Sequence, residues 1–194
     1  MTLGSLLRSF EERTGLAVPI APSAERATVA GVTYDSRQVK PGWVFVALQG
    51  LRADGTAFVR DAARRGAAAI VAETDAPSDL QTMWISVPDA RLALAALAAI
   101  CHGDPSERLL LVGITGTNGK TTTSYLIESI FEAAGIPCGR IGTVGYRIGR
   151  SEISGERTTP EAPELQAMLR QMLAQGCGAC AMEVSSHALA LKRA

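Results

Sequence analysis

Gly113-Ile-Thr-Gly-Thr-Asn-Gly-Lys-Thr-Thr-Thr123 decides how this chain is read. An apolar run, Leu109 to Ile114, leads into it. A helical pattern, Lys120 to Ala134, leads out and stops at Gly135. Strand, glycine-rich loop and helix in that order are the context that a phosphate-binding loop requires. Amides in the first turn of a helix lack intrahelical acceptors and sit at the positive end of the helix dipole, so together they hold an anion. Gly116 and Gly119 let the backbone curl round phosphate oxygens, with Thr117 and Asn118 between them. Lys120 brings a point charge to the terminal phosphates, Thr121 brings a hydroxyl for magnesium, and Thr122 belongs to the same run. The general pattern G-x-x-x-x-G-K-[ST] would place glycine at 114, where Ile114 stands, so the match is to Gly-Thr-Asn-Gly-Lys-Thr. A glycine-rich turn without a ligand is the competing reading.

Outward from the loop the pattern is β-α-β-α-β. Cys138 to Thr143 reads as a second strand, Pro163 to Gln175 as a helix stopped by Gly176, and Ala179 to Val184 as a third strand. Such alternation predicts a parallel sheet of three strands, Leu109 to Ile114 being a buried one, with ligands gathered at the C-terminal strand edges. Three strands make a narrow sheet, and a domain cut short is expected. Upstream, Val29 to Tyr34, Trp43 to Ala47, Ala67 to Ala72 and Met83 to Val87 read as strands; Ala57 to Arg65 and Asp89 to Ile100 read as helices. His102-Gly-Asp-Pro-Ser106 breaks the last of these. The expected organisation is therefore α/β: a small N-terminal α/β domain over 1–106, which the resemblance below makes UDP-binding, and a truncated phosphate-loop, parallel-sheet ATPase domain over 107–194.

Composition narrows the function. Hydrophobic residues make up 47% of the 194 and charged residues 20%, enough for a core. Lys+Arg and Asp+Glu both total 19, so the basic excess of a nucleic-acid binder is missing, and Arg64–Arg65 reads as a solvated helix face. Cys177-Gly-Ala-Cys180 has C-x-x-C spacing without a second Cys pair or a spaced His pair. Cys180 lies in an apolar run, which favours a structural role. Leu3, Leu6, Leu7 and Phe10 have helical spacing and are followed by Glu11 and Glu12, unlike a signal peptide. The longest apolar stretch, Leu92 to Cys101, is too short to cross a bilayer. A cytoplasmic monomer without nucleic-acid or membrane partners is expected.

A magnesium–nucleotide site needs a carboxylate at the end of a neighbouring strand. Between Arg108 and Ala194 there is no Asp, and only Glu183 ends an apolar strand run. A charge there is costly unless paired or metal-bound, so Glu183 is the candidate ligand, with an ion pair to Arg or Lys as the alternative. His102 lies in the break and reads as solvated. His187 reads as positioning the turn after that strand.

Gly116-Thr-Asn-Gly-Lys-Thr-Thr122, followed by Met182-Glu-Val-Ser-Ser-His-Ala-Leu189, resembles the Mur ligase family. The second run is similar to the members that add the third residue of the cell-wall peptide. Gly142-Thr-Val-Gly145, Thr158–Thr159, Tyr34-Asp-Ser-Arg37, Pro41 to Leu48 and Gly50 to Gly55 agree with them. The resemblance implies an ATP-dependent, magnesium-requiring ligase acting on UDP-N-acetylmuramoyl-L-alanyl-D-glutamate and a diamino acid, meso-diaminopimelate or L-lysine. Lys120 and Glu183 would be catalytic, with Thr121 and Glu183 holding the metal. Tyr34 and Ser36 would contact the UDP, Leu51, Arg52 and Ala53 would form a nearby loop, and Arg37 would steady that region. Arg157, Thr158, Thr159, Ser185 and Arg193 would bind the muramoyl-dipeptide. The family's remaining parts lie outside this sequence, so the chain alone is expected not to ligate. The next ligase of the pathway, a folate-polyglutamate ligase and a non-catalytic UDP or nucleotide-binding module are the alternatives.

Overall fold

The computed structural model describes residues 1–20, 22–50 and 54–194. It divides into two compact units, Met1–Cys101 and His102–Ala194.

The first unit contains α1 (Leu3–Thr14), α2 (Pro22–Glu25), β1 (Gly31–Thr33), β2 (Trp43–Val46), α3 (Val59–Arg64), β3 (Ala69–Ala72), β4 (Met83–Ser86) and α4 (Ala90–Cys101). Among the described residues its strands form one sheet in the order β1-β2-β3-β4, parallel throughout. Helix α1 starts where the Thr2 and Ser5 side chains cap each other's backbone amides, and it ends at Gly15 in the left-handed conformation. Its Leu3, Leu6, Leu7 and Phe10 fall on one face and are buried. Alanine-rich α4 packs on α1 and on β1 to β3. All four residues of β3 are buried, as a parallel strand covered on both faces must be. The helix expected over Ala57 to Arg65 is split. A 3-10 turn, Gly55–Phe58, precedes α3 because Asp54 caps the Thr56 amide and Gly55 donates to the Leu48 carbonyl.

The second unit contains β5 (Leu110–Ile114), α5 (Lys120–Ala133), β6 (Cys138–Ile141), β7 (Tyr146–Ile148), β8 (Ser151–Ile153), α6 (Ala162–Ala174), β9 (Ala179–Glu183) and α7 (Ser186–Ala190). The sheet order among the described residues is β5-β9-β6-β7-β8; β5, β9 and β6 are parallel, and β6-β7-β8 run antiparallel. The expected three-stranded parallel sheet is thus extended by a hairpin that sequence reading missed. Its strands are three residues long, too short for a periodic signal. The expectation that Leu109 to Ile114 is a buried strand is also corrected. Strand β5 lies at the sheet's edge, with Leu110 56% and Leu111 37% exposed.

Alternation along β9 separates the layers. Cys180 and Met182 face a core built with Leu165, Leu169 and Met172 of α6, while Ala179 and Ala181 pack under Ile127 and Phe131 of α5. Glu183 continues the alanine series, so its side chain leaves the strand on the α5 face.

The cysteines are free thiols, and Cys138, Cys177 and Cys180 are buried. Burial pushes the Cys138 thiol up to about 11 and raises that of Cys180 further. Cys177 and Cys180 therefore act as core residues, packed against Met172 and Met182 in the same cluster. A thiol reagent at pH 8 is expected to leave Cys138 and Cys180 unmodified in the folded chain and to label them on unfolding in guanidinium. Stoichiometric labelling at the folded-state rate of a free thiol would contradict this burial.

Candidate functional site

Strand β5 leads into the loop Thr115–Gly119, which is exposed. Gly116 has φ of 142° and Gly119 of 79°, conformations that side-chain-bearing residues rarely adopt. Gly119 is the N-cap of α5, and no side chain caps that end, so the first-turn amides remain directed at the loop's concavity. Lys120 folds back on the loop, its Nζ donating to the Gly116 carbonyl at 2.7 Å. Thr121 is half-buried in the first turn, its carbonyl accepting from Ser124 Oγ. Thr117 and Asn118 are exposed within the loop, and Thr122 is exposed on the first turn.

Glu183 ends β9, in register with Ile114 at the end of β5, so it stands beside the strand from which the loop departs. It is 1% exposed. Its Oε1 accepts from the Thr143 amide at 3.0 Å and its Oε2 from the Thr143 hydroxyl at 3.1 Å. Gly142 makes room for it, since a Cβ there would collide with Oε1. The partner is thus not the Arg or Lys that an ion-pair reading would require. Among the described residues no group of three His, Cys, Asp or Glu side chains could hold a metal by itself.

The residues expected to bind the muramoyl-dipeptide gather at the same edge, with different roles. Thr158 is half-buried, and its Oγ1 lies 3.0 Å from that of Thr143. Thr159 is 1% exposed; its hydroxyl donates to the Glu183 carbonyl at 2.9 Å and accepts from the Ser185 amide at 3.2 Å. It braces the turn between β9 and α7. Ser185 caps α7 by accepting from the Ala188 amide, and remains half-buried. Arg157 and Arg193 converge on Glu161, at 3.1 and 2.8 Å. This buried carboxylate went unmarked in the sequence, where it reads as part of a polar loop.

In the first unit Tyr34, Ser36 and Arg37 line a cavity of ≈ 470 Å³ together with Asp35, Phe58 and Asp61. Ser36 is buried. Arg37 grips Asp35 through Nε and Nη2, and its guanidinium holds the Asp35 carboxyl below the usual carboxylate range. Leu51, Arg52 and Ala53 lie outside the described residues. A second cavity of ≈ 440 Å³, lined by Pro137, Cys138, Arg147 and Cys177, opens at the N-terminal ends of β6 and β9. Ligands of parallel sheets bind at the opposite strand edge, so this cavity is set apart from the loop chemistry. His102, expected to be solvated, is half-buried, and burial lowers its pKa.

A strand–loop–helix unit with uncapped amides, a folded-back lysine and a buried acid on the adjoining strand defines a phosphate-loop α/β protein. The chain belongs to the Mur ligase family: the model described as Mur ligase family, catalytic domain, matches residues 28–101, and that of the Mur ligase middle domain matches residues 114–194. It is 46% identical over 185 residues to the UDP-N-acetylmuramoyl-L-alanyl-D-glutamate--2,6-diaminopimelate ligase of Geobacter sulfurreducens, covering 95% of this chain and 36% of that protein. A solved structure of a ligase of the same name is similar over 100% of this chain and 38% of its own, at 28% identity and a TM-score of 0.77. MurF from Acinetobacter baumannii shares the fold at 23% identity and a TM-score of 0.59, over 93% of this chain and 35% of its own. The chain therefore spans little more than a third of the length of the relatives it matches.

Proposed function

We propose that this chain carries the precursor-binding and nucleotide-binding parts of an ATP-dependent ligase that adds the third amino acid, a diamino acid, to UDP-N-acetylmuramoyl-L-alanyl-D-glutamate. The observation that carries the reading is the pairing of an uncapped α5 N-terminus with Glu183 on the α5 face of the adjoining strand. The first-turn amides and Lys120 bind and orient the phosphates of ATP. Thr121 and Glu183 would hold Mg²⁺. One carboxylate and one hydroxyl fit an ion that completes its shell with phosphate oxygens and water. When bound, that ion neutralises charge on the phosphate groups.

In the first chemical step the precursor's glutamyl carboxylate attacks the γ-phosphorus, giving an acyl phosphate and ADP. The incoming amine then displaces phosphate and forms the amide. A carboxylate is already a nucleophile, so the first step needs no base from this chain, and in the second the departing phosphate can take the proton that the amine loses; the chain's contribution is position and fixed positive charge. Thr158, Ser185, Arg157 and Arg193 orient the muramoyl-dipeptide, while Tyr34 and Ser36 face the uridine diphosphate. The identity of 46% with a diaminopimelate-adding enzyme favours diaminopimelate as the incoming amino acid.

Calorimetric titration tests this directly. The chain is expected to bind both the UDP-linked dipeptide and MgATP, with Arg193→Ala weakening the first and Glu183→Gln the second. Retained UDP affinity with no ATP affinity would leave a non-catalytic binding module instead.

A further inference from the structure

The three hydroxyl and carboxyl groups at the sheet edge form a chain whose protons can be ordered. Glu183 Oε2 accepts the hydroxyl proton of Thr143 at 3.1 Å. A threonine hydroxyl has one proton and two lone pairs. Having donated to Glu183, Thr143 Oγ1 can meet Thr158 Oγ1, 3.0 Å away, only as an acceptor, so the Thr158 proton points inward to Thr143. Thr158 is then left with lone pairs alone on its exposed side. Glu183 is locked in place for this task, because its other oxygen accepts the Thr143 amide at 3.0 Å and Gly142 leaves it room.

We infer that Thr143 is a positioning residue whose hydroxyl relays the acceptor character of Glu183 to Thr158, so that Thr158 recognises an N–H or O–H donor of the UDP-linked dipeptide and not a carboxylate or phosphate oxygen. The inference rests on the proposed reading in which Thr158 faces that precursor. It adds a polarity to the contact and gives Glu183 a second effect, independent of metal.

The independent effect supplies the test. In Glu183→Gln the amide oxygen stays opposite the Thr143 N–H, which places the amide nitrogen against Thr143 Oγ1. The nitrogen donates, Thr143 turns its proton to Thr158, and Thr158 turns its proton outward. The affinity of the chain for UDP-N-acetylmuramoyl-L-alanyl-D-glutamate, measured by calorimetry with EDTA and without nucleotide, is expected to fall about tenfold, as for one hydrogen bond lost. Thr143→Val, isosteric but without the hydroxyl, frees the Thr158 proton to turn and is expected to fall less than Glu183→Gln, and Glu183→Gln in that background to cost nothing further. Thr143→Ser is expected to bind as the parent does, the reverse of what a purely steric role for Thr143 predicts. Metal-free affinity unchanged by Glu183→Gln would overturn the relay. Should Thr143→Val fail to fold, Thr158→Val and Thr158→Ser alter only the half-buried end, and equal affinities for these two would overturn it as well. If Thr158→Val and Arg193→Ala both bind the dipeptide like the parent, the precursor reading itself has failed, and the relay with it.

Discussion

Lys120→Ala is expected to weaken MgATP binding by roughly 10- to 100-fold without loosening the fold. A charge-assisted hydrogen bond to phosphate contributes on the order of 1.5–3 kcal/mol, and each 1.4 kcal/mol is a factor of ten in affinity. In the folded chain the ammonium contacts the Gly116 carbonyl, on an exposed loop, so the hydrophobic layers do not depend on it. Calorimetry with MgATP, alongside a thermal melt of the same sample, separates the two quantities. An affinity within twofold of the parent would show that the loop does not hold the terminal phosphates.

The largest effect on stability is expected away from the loop. Glu128, on α5, is buried, and its carboxylate accepts from Arg140 Nε at 2.9 Å and from Arg147 Nη1 at 3.0 Å. Arg140 is itself buried under the Tyr125 ring, 3.8 Å from its centroid, and its Nη1 has no hydrogen-bond partner among the described residues. Glu128→Ala therefore leaves a guanidinium in the interior with the Tyr125 ring and a weak contact to the largely exposed Glu152, at 3.5 Å, in place of a buried counter-charge. Breaking a buried pair by removing one member costs about 3–5 kcal/mol, whereas replacing both by apolar groups is close to neutral. Urea unfolding of Glu128→Ala should show a loss in that range, and Glu128→Leu combined with Arg140→Met should recover most of it. A loss below about 1 kcal/mol would mean that water reaches the Arg140 side chain after all.

These residues mark where sequence reading succeeds and where it stops. The succession of strand, glycine-rich loop and helix was legible because its residues are contiguous, and each constrains the next. Glu183 was legible because a lone acid after Ala179-Cys-Ala-Met182 breaks an apolar pattern. Glu128 was not, since an acid on an amphipathic helix looks like any solvated charge until the fold brings Arg140 beneath it. Thr143 was noticed only within a family motif, because its decisive partners are fifteen and forty residues away. The hairpin β7-β8 and the edge position of β5 depend on which strands pair, and pairing leaves little trace in strands of three to five residues. At Thr159 a family motif marks the position, and its hydrogen bonds add that the hydroxyl braces the backbone.

The space above Gly142, filled by the end of Glu183, has a consequence for descent. A methyl group there would press on the end of Glu183 and prise it from Thr143, while the β-strands beneath could stay paired. A gene drifting at this codon could thus keep encoding a folded product whose acid has been evicted. In a survey of genomes, the residue at this one place would help sort working copies from decayed ones.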